Sequence, residues 1–212
     1  MTEKSDPTTE LLRLAAEGNT EGWGRLLASH RERLRRMVAL RLDRHLQGRI
    51  DPSDVIQETY LEAWSRLPEY LRNPSVPFYL WLRFLTGQKL VTLHRHHLGR
   101  AMRDVGREIS LYGGAMPEAS SAALAAQLLG RDTCPSRAAM RVELKIRLQD
   151  ALNSMDTVDR EVLVLRHFEY LNRAETADVM GMRQSAVSKR YVRALEKLKD
   201  ILGTMSESVA EV

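Results

Sequence analysis

The sequence predicts an all-α fold, two small helical domains joined by a flexible linker. Three observations lead there. Apolar residues recur at helical spacing through most of the chain, strand-like runs are nearly absent, and one internal stretch is rich in Gly, Pro, Ala and Ser. A chain of 212 residues fits one large domain or two small ones. The break in composition favours two, over 8–107 and 136–205, with 108–135 as the linker.

Composition excludes several other classes. Hydrophobic residues make up 43% and charged residues 28%, which suits neither a disordered, a collagen-like nor a membrane protein. From Ser110 to Gly130 only Glu118 is charged, but the stretch lacks the apolar density of a spanning helix. The polar first ten residues contain no apolar signal core, so the expected compartment is the cytoplasm. Cys134 is the single cysteine and can make neither an internal disulfide nor a cysteine-rich zinc site.

The elements follow in order. Thr8 to Glu17 carries Leu11, Leu12, Leu14 and Ala15 on one helical face. Glu21 to Gln47 repeats the pattern through Trp23, Leu26, Leu27, Leu34, Val38 and Leu42, and Gly48 is expected to close it. Asp51-Pro52-Ser53-Asp54 then reads as a helix start, with Asp51 as cap, Pro52 in the first turn and Asp54 where the helix dipole favours an anion. This helix should reach about Leu67, burying Val55, Ile56, Tyr60, Ala63 and Trp64 and exposing an acidic row, Asp54, Glu58 and Glu62.

Pro68 to Pro77 reads as a loop containing Tyr70 and Asn73. The next helix, from about Phe78 to Arg103, can turn Trp81, Leu82, Leu85, Leu90, Val91 and Leu93 inward, leaving Arg83, Gln88, Lys89, Arg95 and His96 outside. Within the linker Gly113-Gly114, Pro117, Ser120-Ser121, an alanine cluster and Pro135 leave room for one short helical piece. Beyond it come an amphipathic helix, Arg137 to Leu152, with Val142, Leu144, Ile146, Leu148 and Leu152, and shorter helices at Glu161 to Phe168 and Arg173 to Met180. Gly181 supplies a turn and Gln184 to Leu202 a basic helix, which together make a helix-turn-helix.

The net charge of +4 is modest, but its distribution is uneven. From Arg25 to Arg49 eight arginines oppose Glu32 and Asp43, a balance of +6. Asp51 to Tyr70 carries −4, Arg83 to Arg107 carries +5, and Arg183 to Lys199 carries +5. An acidic helix between basic segments suggests a polyanion gripped at two places and a basic protein partner between them. On the last helix Gln184, Ser185, Ser188, Lys189 and Arg193 can reach base edges in a major groove, while Arg190 and Lys197 fall towards phosphates. A basic face that is merely solvated is the alternative.

Two motifs carry a family resemblance. The first is Asp54-Val55-Ile56-Gln57-Glu58-Thr59-Tyr60-Leu61-Glu62-Ala63-Trp64. The second is Arg160-Glu161-Val162-Leu163-Val164-Leu165-Arg166-His167-Phe168-Glu169, followed by Ala174-Glu175 and Val187 to Leu195. With them the chain, from about Glu10 to Leu202, resembles the extracytoplasmic-function type of bacterial sigma factor, the small two-domain class of RNA polymerase specificity subunits. The resemblance implies a region 2-like bundle followed by a region 4-like helix-turn-helix. It implies core RNA polymerase and promoter DNA as partners, with an anti-sigma factor as a third that the sequence does not identify. Asp54, Gln57, Glu58 and Glu62 would dock on the polymerase. Tyr70, Asn73 and Gln88 would contact the melted minus-ten strand, and Arg83, Lys89, Arg95, Arg100 and Arg103 would track its phosphates. Gln184, Ser185, Ser188, Lys189, Arg190 and Arg193 would read the minus-thirty-five duplex. Departures from the family pattern are Arg183 at the usual small polar cap, Thr176 at a usual aliphatic core position, and Ser188 where many relatives are basic.

No catalytic constellation accompanies these motifs. There is no G-x-S-x-G, no P-loop and no glycine-rich strand-to-helix unit, so neither an enzyme nor a cofactor is expected. His94, His96 and His97 lack the carboxylate pattern of a zinc hydrolase and are expected on a basic or DNA-facing surface, without metal. The rival binding module, a dimeric regulator with a sensing N-terminal domain, shares the helix-turn-helix but leaves the acidic helix unexplained.

Overall fold

The computed structural model of the chain describes residues 7–43, 46, 48–97, 118–129 and 138–210. The regular elements among them are helices, and the chain divides after Ala115 into two compact units. The first unit contains α1 (Pro7–Ala16), α2 (Thr20–Arg41), α3 (Pro52–Arg72) and α4 (Phe78–His97). Its core forms where α2, α3 and α4 pack together, around Leu26, Leu34, Val38, Val55, Ile56, Ala63, Leu82, Leu85 and Leu90. Each large aliphatic side chain so buried contributes about 1.5–3 kcal/mol relative to exposure.

A tight corner sets α1 against α2. Gly18 adopts φ +80, and the Asn19 side chain accepts the Gly22 N–H to cap α2. At Gly22 the helices come so close that a Cβ would lie 2.7 Å from Leu14 Cβ. Gly22→Ala is therefore expected to destabilise this unit by about 1–3 kcal/mol, the range for overpacking. Thermal or urea unfolding reads the effect, and an unchanged midpoint would mean that α1 yields without cost.

Two boundaries differ from the sequence expectation. α2 stops at Arg41 rather than near Gln47, because the Asp43 N–H is taken by His94 Nε2 of α4 at 3.2 Å. Gly48, at φ +87, belongs to the turn that follows. α3 in turn does not stop at Leu67 but runs through Pro68 to Arg72. Pro68 forfeits one helical hydrogen bond, but burial of Leu67 and Tyr70 holds the last turn. Tyr70 stacks on Trp81 with centroids 4.6 Å apart, meets Phe78 at 5.7 Å, and donates its hydroxyl to the Val76 carbonyl at 2.9 Å. The loop shrinks to 73–77. At the start of α3 Asp51 caps as expected, accepting the Ser53 N–H at 2.7 Å with Pro52 in the first turn. Trp64, expected inside, is partly exposed beside Trp23, 5.3 Å away.

The second unit contains α5 (Glu118–Leu128), α6 (Ala138–Ser154), α7 (Thr157–His167), α8 (Arg173–Met180) and α9 (Gln184–Ala210). The stretch read as linker, 108–135, thus includes a packed helix. Alanine is the strongest helix former and lets backbones approach. α5 lies against α6 and α9 with Ala122, Leu124, Ala125 and Ala126 buried. On α6 the buried face is Leu144, Leu148, Ala151 and Leu152, while Val142 and Ile146, also among its apolar residues, face water. α7 opens at Asp156, whose side chain accepts the Val158 and Asp159 N–H groups. α9 is tied to α7 by a 2.9 Å hydrogen bond between the Tyr191 hydroxyl and His167 Nε2, with the two rings stacked.

Burial sets how stability depends on pH. His94 is almost fully buried, and burial pushes its pKa below the ordinary 6.5, with the Asp43 charge opposing. His167 is pushed down by burial first and by the Arg166 charge second. Below pH 6.5 the unfolded chain binds protons that the folded chain refuses, so stability falls on acidification by up to about 1.4 kcal/mol per pH unit for each histidine. The unfolding midpoint is expected to drop between about pH 7 and pH 5, and His94→Gln to flatten the dependence. A midpoint constant through that window would contradict neutral, buried imidazoles.

Candidate functional site

The helix-turn-helix is locally well specified. Asn172 accepts the Glu175 N–H while Glu175 accepts the Asn172 N–H, so two orphan donors at the start of α8 are satisfied reciprocally. Thr176 is fully buried, yet its hydroxyl donates to the Asn172 carbonyl at 2.7 Å, so the departure from an aliphatic residue leaves no orphaned donor. Gly181 ends α8 in the left-handed region at φ +61. α9 then starts at Gln184, with the Arg183 carbonyl accepting the Ala186 and Val187 N–H groups as the first bonds of the helix. Val187, Ala194, Leu198 and Leu202 hold α9 on the unit.

The opposite face of α9 is polar and accessible. Gln184, Ser185, Lys189 and Arg193 are exposed, and among the described residues neither Lys189 nor Arg193 has an ion-pair partner. Ser188 turns back, its hydroxyl donating to the Gln184 carbonyl at 2.9 Å. Arg190 also departs from expectation. Its Nη1 lies 2.8 Å from Asp159 Oδ1 of α7, and Lys197 Nζ lies 2.5 Å from Oδ2 of the same carboxylate. Asp159 floors a cleft whose walls are Met182, Arg183, Ala186, Lys189, Arg190, Arg193 and Lys197. Sequence reading missed Asp159, whose available signal was a carboxylate three residues after the Asp156 cap.

In the first unit Asp54, Gln57 and Glu58 stand exposed on α3 as expected. Leu61 joins them at 75% exposure, an apolar residue on a polar face that its spacing from Gln57 and Glu58 marks as theirs. Glu62 does not share that openness. It bonds Arg66 at 2.8 Å and Lys89 of α4 at 3.0 Å, so two residues assigned to different partners neutralise each other.

On α4 Gln88 and Arg95 are exposed and share a helical stripe with Phe84, which is 60% exposed and was not singled out from sequence. Arg83 is half-buried, off that stripe. Tyr70, expected in a loop at a base, is instead buried in the aromatic cluster, while Asn73 is exposed just past α3. Arg100 and Arg103 lie outside the described residues. Of the histidines, His96 and His97 are exposed, but His94 is core rather than surface, because its ring accepts the Asp43 N–H. Among the described residues no three His, Cys, Asp or Glu side chains are grouped to hold a metal, and no helix is long and apolar enough to cross a membrane.

A family model described as sigma-70, region 4 matches residues 145–198, from α6 into α9. The RNA polymerase sigma factor CnrH of Cupriavidus metallidurans is 31% identical over 196 residues, covering 91% of this chain and 93% of CnrH. The ECF RNA polymerase sigma factor SigD of Mycobacterium tuberculosis is 31% identical over 170 residues, covering 78% of this chain and 72% of SigD. The chain belongs to the extracytoplasmic-function RNA polymerase sigma factors. The solved structure of CnrH in complex with the cytosolic domain of CnrY matches this sigma factor with a TM-score of 0.55 and 27% identity, over 94% of this chain and 99% of CnrH. The sigma factor is accordingly a DNA-binding transcription-initiation protein that acts with RNA polymerase, and not an enzyme. The cleft around Asp159 falls wholly inside the matched region 4.

Proposed function

We propose that this sigma factor divides promoter recognition between its two units. The observation that carries the reading is the face of α9, where Gln184, Ser185, Lys189 and Arg193 project from a rigidly capped helix-turn-helix and are free to meet a duplex. Gln suits adenine and Arg or Lys suits guanine in the major groove, so this face would read the minus-thirty-five element. In the first unit Asp54, Gln57 and Glu58 around Leu61 offer carboxylates and one apolar contact to a basic surface of core polymerase. Phe84, Gln88 and Arg95 of α4, with Asn73 of the adjacent loop, offer a stacking ring, hydrogen-bond groups and a cation to a melted minus-ten strand.

Capturing a base that leaves the stack costs only a few kcal/mol. The sigma factor would thus assist melting by binding, while the polymerase performs the nucleotidyl chemistry. It would work in the cytoplasm, and since CnrH is solved with the cytosolic domain of CnrY, an anti-sigma factor is a natural further partner. The test is selection of genomic fragments by core polymerase with and without the chain, followed by transcription from them. Start sites should share two upstream elements that core alone ignores; transcripts starting at random in both reactions would reject the proposal.

A further inference from the structure

We propose that Asp159 is a built-in competitor for DNA phosphates, withholding Arg190 and Lys197 from the duplex so that, of the cations lining the cleft, Arg183, Lys189 and Arg193 are left to meet DNA. The inference rests on the reading of α9 as the duplex-binding helix. Its basis is the floor of the cleft. The Asp159 carboxylate is 5% exposed and uses one oxygen for each cation, Oδ1 for Arg190 and Oδ2 for Lys197. It cannot follow either cation outward, because it sits in the first turn of α7, where it is fixed between the Asp156 cap and the buried Val162 and Leu163.

Burial alone would raise the Asp159 pKa, but hydrogen bonds from Lys197 and Arg190, together with their charges, hold it below its ordinary 3.8. The carboxylate is therefore ionised at neutral pH, and the positive end of α7 adds to that preference. A phosphate that drew Arg190 or Lys197 away would leave a buried anion short of its counter-charge, which is strongly unfavourable. Arg183, Lys189 and Arg193 line the same cleft with no ion pair among the described residues. Sequence-independent affinity for DNA grows with the number of phosphates neutralised, whereas base reading does not. Sequestering two cations thus lowers non-specific adhesion and leaves the reading face unchanged.

The number of phosphate contacts is measurable as the slope of log K against log salt, about −0.9 per contact. The full chain would be titrated onto a fluorescent mixed-sequence duplex of about 30 base pairs, between about 50 mM and 200 mM KCl. Asp159→Asn is expected to bind more tightly at low salt and to steepen the slope by up to about 1.8, an extra loss of about twelvefold across that range. Unchanged binding, or lost binding, by a folded Asp159→Asn would overturn the proposal. A second comparison leaves Asp159 in place. Lys197→Gln should keep the wild-type slope, whereas Arg183→Gln should flatten it by about 0.9; equal flattening by both would overturn the proposal even if Asp159→Asn failed to fold. A wild-type chain that binds no duplex at the lowest salt would instead reject the duplex-reading role, and this inference with it.

Discussion

Reversing two charges on α3, Asp54→Lys with Glu58→Lys, is expected to abolish co-elution with core RNA polymerase while leaving the helical content and the unfolding of the second unit unchanged. Both side chains are exposed, so neither supports the core. At an interface with a basic surface each substitution removes an attraction and installs a repulsion. Where docking buries such a charge in a hydrogen-bonded pair, truncating one partner costs about 2–5 kcal/mol, so the double reversal should weaken binding by well over a hundredfold. Asp54 also favours the N-terminus of α3. For that reason the neutral pair Asp54→Asn with Glu58→Gln is the better gauge of docking alone, and an intermediate loss is expected from it. Glu62 gives a built-in contrast. Bound to Arg66 and Lys89, it should matter less to polymerase binding than Glu58 and more to the packing of α3 on α4. A folded double-reversal variant that still co-elutes would remove the docking role from this face.

The second large effect is expected from Lys189→Ala with Arg193→Ala. These side chains make no ion pair among the described residues and cover no core, so stability should be unaffected. A good side-chain contact to a base edge discriminates by about 1–3 kcal/mol, and losing two should lower promoter-directed transcription by roughly two orders of magnitude. Binding to core polymerase should be retained, because that surface belongs to the other unit. Run-off transcription and co-elution measured on the same preparation separate the two, and a parallel fall in both would deny the division of labour between the units.

What the sequence made legible was local. Asp51-Pro52 and Gly181 each fix a helix end through atoms a few residues apart, and both stand where local rules place them. The features that escaped depend on partners far along the chain. The end of α2 is decided by His94, 51 residues beyond Asp43. Pro68 is carried through α3 because Tyr70 finds Trp81 and Phe78. α5 looked like a linker because its alanines and serines carry little hydrophobic signal, yet small side chains are what close packing on α6 requires. The candidate site divides in the same way. The exposed faces of α3 and α9 followed from helical spacing, whereas the pairing of Glu62 with Lys89 and of Asp159 with Arg190 and Lys197 required the fold.

The hydrogen bond from the Asp43 N–H to His94 has a consequence for how the first unit breathes. That amide proton is bonded to a side chain of α4, outside the helical ladder of α2, so its exchange with solvent deuterium reports the contact between the end of α2 and α4. The acceptor is a lone pair that a proton can occupy. When acid charges the His94 ring, the Asp43 amide loses its acceptor at the same moment as the core gains a buried cation. One backbone position thereby records in its exchange rate both the docking of α4 and the protonation that loosens it.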